Sequence, residues 1–129
     1  MTKAAVALAA CAFPLAFASG ALADAASEVV TAGTHASLAA GAADIAGVHT
    51  HLHHVLNCLV GPKGSGFDAK ELNPCAQSGN GAIPDTSDAG KKASLESAAA
   101  KARAGIAATD YKTAQKDAAD LASMLKPAK

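Results

Sequence analysis

Residues 49–62 read His49-Thr50-His51-Leu52-His53-His54-Val55-Leu56-Asn57-Cys58-Leu59-Val60-Gly61-Pro62, and this stretch decides the fold. Its apolar residues Leu52, Val55 and Leu59 recur at helical spacing, which predicts a helix with one buried face. Gly61 and Pro62 end that helix, because glycine suits a left-handed cap and proline cannot continue a helix. The same stretch contains four of the five histidines of the chain.

The stretch is the end of a longer helical segment, residues 25–60, that we expect to start near Ser27 and Glu28. Val30 and Leu38 extend its apolar stripe towards the N-terminus. Residues 61–87 are rich in glycine, proline, asparagine and serine, which is typical of a loop. Residues 88–126 form a second helical segment, which has capping side chains at its start and Pro127 after its end.

This order of elements predicts an all-α fold, an antiparallel helical hairpin whose two long segments are joined by the loop. Gly41 and the Thr109-Asp110 pair are candidate breaks. If both break their segments, the hairpin becomes a four-helix up-down bundle. An unbroken hairpin with so few large apolar side chains would be expected to form a homodimer.

Residues 1–23 have the pattern of a signal peptide, with Lys3 before a short apolar run and the small residues Ala21 and Ala23 before a cleavage point. This predicts a periplasmic or secreted protein, in which residues 24–129 form a single helical domain. The apolar run is too short for a membrane span. A lipid anchor on Cys11 is the less favoured alternative, because the apolar run continues beyond that cysteine.

Cys58 and Cys75 are the two cysteines that remain after removal of such a leader. An even pair in an exported chain predicts a disulfide, which would tie the loop back to the end of the first helical segment. The formal net charge is zero, which gives no electrostatic footprint for nucleic acid.

The histidine cluster predicts a transition-metal site formed by His49, His51, His53 and His54. His49 and His53 are one helical turn apart, a spacing at which two imidazoles can bind one ion. His51 and His54 form a second column on the helix. Copper, zinc and nickel are the metals that such nitrogen ligands favour. His35, far from the cluster in sequence, is interpreted as a surface histidine.

A metal-binding protein for buffering, storage or delivery is the leading functional hypothesis. No constellation of acid, base and nucleophile accompanies the histidines, so an enzyme is not expected. The alternative is a ligand-free structural or stress-response protein whose helix faces meet a partner, with the histidines filling polar edges. A carrier of haem or a small molecule is the third hypothesis.

Three short motifs carry a resemblance to known proteins: Asn57-Cys58-Leu59-Val60-Gly61-Pro62, Asn73-Pro74-Cys75 and Gly81-Ala82-Ile83-Pro84-Asp85. Over residues 54–85 the chain resembles small exported proteins of Gram-negative bacteria whose function is uncharacterised. The resemblance implies export and assigns no activity, cofactor or site residue.

Overall fold

The structure is a computed structural model that describes residues 24–126. The signal peptide predicted in residues 1–23 lies outside the described residues. Within residues 24–126 there are five helices and no strand, which confirms the all-α prediction. The helices are α1 (Ala25–Ala40), α2 (Ile45–Val60), α3 (Ala82–Asp85), α4 (Ala89–Ala107) and α5 (Tyr111–Met124). None of them is long and apolar enough to cross a membrane.

Each of the four long helices begins after an aspartate that caps it. The carboxylates of Asp24, Asp44, Asp88 and Asp110 accept hydrogen bonds from backbone N–H groups in the first turns of α1, α2, α4 and α5. Such caps satisfy N–H groups that have no partner within the helix. Helix α1 begins at Ala25, the first residue of the predicted segment, but Asp24 caps it, whereas the sequence suggested a start near Ser27 and Glu28.

The helical segment predicted at residues 25–60 is interrupted between Ala40 and Ile45. Helix α5 stabilises this interruption with two side chains. The hydroxyl of Tyr111 donates to the carbonyl of Ala42 at 2.8 Å, and the amide of Gln115 donates to the carbonyl of Ala40 at 3.0 Å. Carbonyls at the end of α1 thus find partners across the fold.

The second segment is interrupted as well, between Ala107 and Tyr111, where the sequence suggested a break. Residues 24–126 therefore contain four long helices where the unbroken hairpin has two. Helix α1 packs against α2 and α5, and α4 packs against the same two helices from the other side.

Alanine is the commonest residue of the core, and the buried leucine and valine residues come mainly from α2. Helix α1 contributes Ala32, Ala36 and Ala39, all with 0 % exposure. Val30 and Leu38, which were predicted to lie on the buried stripe, are 53 % and 48 % exposed. The alanine face is buried because small side chains allow neighbouring helices to approach closely.

The loop between α2 and α4 is held by a disulfide between Cys58 and Cys75, as predicted. Phe67 and Ile83 pack against the core, as expected of apolar loop residues. Leu72, a third large apolar residue of the loop, is instead 62 % exposed. The loop also returns to α1, where the N–H of Asp24 donates to the carbonyl of Ser78 at 3.1 Å.

Glu28 is a fully buried acid on α1 that the sequence interpretation assigned to the helix start. Its Oε1 accepts a hydrogen bond from the N–H of Gly81 at 2.9 Å, whereas Oε2 is buried with no hydrogen-bond partner among residues 24–126. Burial raises the pKa of the Glu28 carboxyl, the Gly81 N–H lowers it, and the nearby Asp85 and Asp24 raise it further; the net shift is upward.

We expect Glu28→Gln to stabilise the protein at neutral pH. Because the folded-state pKa of Glu28 is raised above its ordinary value of 4.5, the stability that this group contributes is fully present below pH 4.5. It is lost as pH rises through the folded pKa. The variant keeps the acceptor for Gly81, so it should match the wild type near pH 4 and exceed it by about 1 kcal/mol near pH 8.

Chemical denaturation at a series of pH values measures this difference. Asp120→Asn is the control. The hydrogen bond from Lys116 lowers the pKa of the exposed Asp120 carboxyl, which is the opposite direction to the shift of Glu28. A difference between Glu28→Gln and wild type that grows towards acid pH would contradict the assignment.

Candidate metal centre

Three histidines from two helices converge in the structure. His35 lies on α1, and His51 and His54 lie on α2. Each offers one ligand atom, and these three atoms all lie within 4.8 Å of one another. His51 and His54 are three residues apart and therefore share a face of α2. The turn between α1 and α2 brings His35 opposite to them.

The three rings lie against one another in pairs. Ring centroids are 5.0 Å apart for His35 and His54, and 5.5 Å apart for the other two pairs. The Nδ1 atoms of His35 and His51 are 3.3 Å apart, so one neutral ring can donate a hydrogen bond to the other. Two nitrogens bound to one tetrahedral zinc ion at 2.0–2.1 Å would be separated by about 3.3 Å as well. The pair is therefore already spaced as two ligands of one ion.

Burial differs across the cluster. His54 is 8 % exposed, and its Nδ1 is buried with no hydrogen-bond partner among residues 24–126. His35 and His51 are partly exposed, so the cluster is closed on one side and reaches solvent on the other. An orphaned buried nitrogen is costly unless a ligand or a proton donor meets it.

The electrostatics of the cluster favour neutral imidazole. Burial lowers the pKa of His35, and the neighbouring His54 and His51 lower it further. Burial also lowers the pKa of His54, with His51 and His53 adding to the effect and the carboxylate of Glu71 opposing it. A metal ion binds the neutral ring, so the lowered pKa values reduce competition from protons near pH 7.

Two carboxylates from the loop lie beside histidines of α2. Nε2 of His54 is 3.9 Å from Oε2 of Glu71, and Nδ1 of His53 is 3.8 Å from Oδ2 of Asp68. Asn57 positions the turn that carries both acids: its amide donates to the carbonyls of Asp68 and Leu72. Its side-chain oxygen accepts from the N–H of Asp68 at 2.9 Å.

The structure brings together two of the four histidines predicted to bind metal. His51 and His54 belong to the cluster, whereas His49 and His53 lie outside it. His49 is engaged elsewhere, with its Nε2 at 3.0 Å from the carbonyl of Ala108. His35, interpreted from sequence as a surface histidine, is the third member. The only sequence signal for it was the candidate break at Gly41, which implies that α1 can fold back beside α2.

No family model, curated protein or solved structure matches this chain. The resemblance of residues 54–85 to small exported bacterial proteins thus stays a prediction. The assignment of function depends on the chemistry of the cluster. Three neutral imidazoles can supply three of the four ligands of a tetrahedral ion and leave the fourth position for water or an exchanging ligand.

Proposed function

We propose that this protein binds one transition-metal ion through His35, His51 and His54. The observation that carries the proposal is the convergence of three imidazole ligand atoms within 4.8 Å, from two helices that pack side by side. Copper(II), zinc and nickel are the ions that imidazole ligands suit, and copper(II) is favoured among them by the Irving–Williams order. His49 and His53 do not belong to this ligand set.

The proposed role of the site is buffering, storage or delivery of the ion. A site with three protein ligands keeps one coordination position accessible, which permits an ion to be exchanged with another ligand or protein. The partial exposure of His35 and His51 supports such access. A closed site with four protein ligands would instead favour permanent retention.

The proposed location is a compartment outside the cytoplasm, periplasmic or secreted. The disulfide between Cys58 and Cys75 supports this location, because disulfides form and persist in oxidising compartments. The leader pattern in residues 1–23 agrees with it.

His51→Ala is expected to weaken metal binding by about 100-fold, because it removes one of three ligands and outer residues alone can contribute 10–100-fold. The measurement is a competition titration of the metal-free full-length chain with copper(II), zinc and nickel against a chelator of known affinity. The wild type should bind one ion per chain. All proteins carry Cys11→Ala, so that no free thiol competes for the ion.

His49→Ala is the matched control, since it removes an imidazole from the same helix outside the cluster. We expect it to bind metal within about 3-fold of the wild type. If the triple variant His35→Ala/His51→Ala/His54→Ala binds as tightly as the wild type, the ion is held by other residues and the proposed site is wrong. If the wild type binds none of the three ions, a ligand-free interaction protein becomes the better hypothesis. Circular dichroism verifies that each variant is still helical.

A further inference from the structure

The two ring nitrogens of His54 lie in different surroundings. Nε2 faces the carboxylate of Glu71 at 3.9 Å. Nδ1 is buried and has no hydrogen-bond partner among the described residues. In a neutral imidazole one nitrogen carries the proton and the other has a free lone pair. A carboxylate beside Nε2 favours the proton on Nε2 and therefore the lone pair on Nδ1.

The position of Glu71 is set by buried contacts to the helix that carries His54. Asn57 has 0 % exposure, and its side-chain amide donates hydrogen bonds to the carbonyls of Asp68 and Leu72. These two residues lie on either side of Glu71 in the sequence. The disulfide at Cys75 ties the following residues to the same helix. The Glu71 side chain itself is 35 % exposed, and its Oε2 would have to move about 1 Å closer to Nε2 of His54 to accept a hydrogen bond.

The other two histidines present the same nitrogen to the cluster. Nδ1 of His35 and Nδ1 of His51 face each other at 3.3 Å. If His54 also uses Nδ1, all three rings bind through the same type of atom. Metal-binding histidines commonly donate their second ring N–H to a carboxylate, which fixes the tautomer and makes the ligating nitrogen more basic.

We propose that Glu71 is a positioning residue of the metal site, which accepts a hydrogen bond from Nε2–H of His54 and so directs the ion to Nδ1 of His54. This inference rests on the proposed function, because it concerns the same three-histidine site. It adds a residue from the loop that no spacing argument in the sequence selects. It also gives the disulfide-tied loop a part in setting metal affinity.

The test compares Glu71→Ala and Glu71→Gln with Asp68→Asn, using zinc as the probe. Asp68 is the matched control, because its carboxylate lies at 3.8 Å from His53, a histidine outside the cluster. Zinc affinity, measured by chelator competition, should fall by about 10-fold in Glu71→Ala and by less in Glu71→Gln, whose amide oxygen still accepts. Asp68→Asn should stay within about 2-fold of the wild type.

Nitrogen-15 NMR of the histidine rings supplies a readout that a purely structural role would not change. In the zinc-loaded wild type, Nδ1 of His54 should show the shift of a metal-bound nitrogen and Nε2 should be protonated. Zinc bound through Nε2 of His54, or an equal loss of affinity in Asp68→Asn, would overturn the role of Glu71 and leave the metal site standing. Absence of zinc, copper(II) and nickel binding by the wild type would overturn the proposed function itself.

Discussion

Replacing both Cys58 and Cys75 by alanine is expected to lower the free energy of unfolding by about 3 kcal/mol. The disulfide closes a loop with a sequence separation of 17 residues. In the chain-entropy account, a cross-link over about 15 residues restricts the unfolded chain enough to stabilise the folded state by about 3 kcal/mol. For a domain of this size the loss corresponds to a melting temperature lower by about 12–24 °C.

The effect is large because the apolar core of this protein is too small to replace the stability that the disulfide contributes. Its largest fully buried apolar side chains are Leu52, Leu59 and Leu121, and alanine is the commonest residue among the other buried positions. A small domain with a modest apolar core commonly needs a covalent or metal tie to be stable.

Thermal and chemical denaturation of wild type and double variant, each with and without reductant, measure the contribution. Reductant should destabilise the wild type to the level of the variant and leave the variant unchanged. Zinc affinity provides a second readout: Asn57 still holds the turn that carries Glu71, so we expect affinity to fall by no more than about 10-fold, the lower end of the effect of an outer-shell change. A stability difference below about 1 kcal/mol would show that hydrogen bonds and packing alone hold the loop.

Local signals in the sequence were sufficient to predict the all-α class of the fold and the disulfide between Cys58 and Cys75. The end of α2 at Val60 follows from Gly61 and Pro62, since both residues act on their own backbone. The start of α4 after Asp88 follows from the capping chemistry of that side chain. The disulfide follows from the parity of cysteines and the loop composition between them. Each of these signals acts over a few residues or through covalent chemistry.

The break after Ala40 depends on contacts that no local pattern encodes. Tyr111 and Gln115 stabilise it from α5, about 70 residues further along the chain. Because periodicity was extended through this break, Val30 and Leu38 were predicted to be buried and proved to be exposed. The sequence interpretation placed the largest apolar side chains in the core. Helix α1 instead packs closely against its neighbours, and only its alanine face fits there.

The same break explains why only part of the three-histidine cluster could be selected from the sequence. On one continuous helix, His35 and His51 would be 16 residues apart and about 24 Å distant. On two helices that pack side by side, their Nδ1 atoms are 3.3 Å apart. Spacing within one helix selected His49 and His53 as a chelate, but tertiary packing selects His35, His51 and His54. The density of histidines indicated the region, and only the fold shows which three rings lie together.

Gly61→Ala is expected to destabilise the protein by about 3 kcal/mol or more. Gly61 has φ of 69° and ψ of 175°, a backbone conformation that is essentially restricted to glycine. A Cβ atom at this position would also overlap the carbonyl group of Asn80. The obstacle is backbone, which cannot rotate away as a side chain can. The variant must therefore either strain residue 61 or move the loop away from the end of α2.

Moving the loop is costly because Gly81, the neighbour of Asn80, also lies against the end of α2. Gly81 has φ of 115°, and a Cβ there would lie 2.7 Å from the carbonyl carbon of Val60. The absence of a side chain at Gly61 and Gly81 thus lets the loop backbone contact the backbone at the end of α2 directly. The N–H of Gly81 is also the partner of buried Glu28, so displacement of the loop would leave that carboxyl unsatisfied as well.

Gly90→Ala is the matched control, an identical substitution in the first turn of α4. Its Cβ would meet only Asp88 Oδ1 at 3.4 Å, which is ordinary contact. Alanine there should stabilise the protein by about 0.5–1 kcal/mol, because it reduces the conformational entropy of the unfolded chain. Chemical denaturation should therefore give opposite signs for the two variants. A Gly61→Ala protein within about 1 kcal/mol of the wild type would mean that the loop can leave the end of α2 without loss, and that the disulfide alone determines its position.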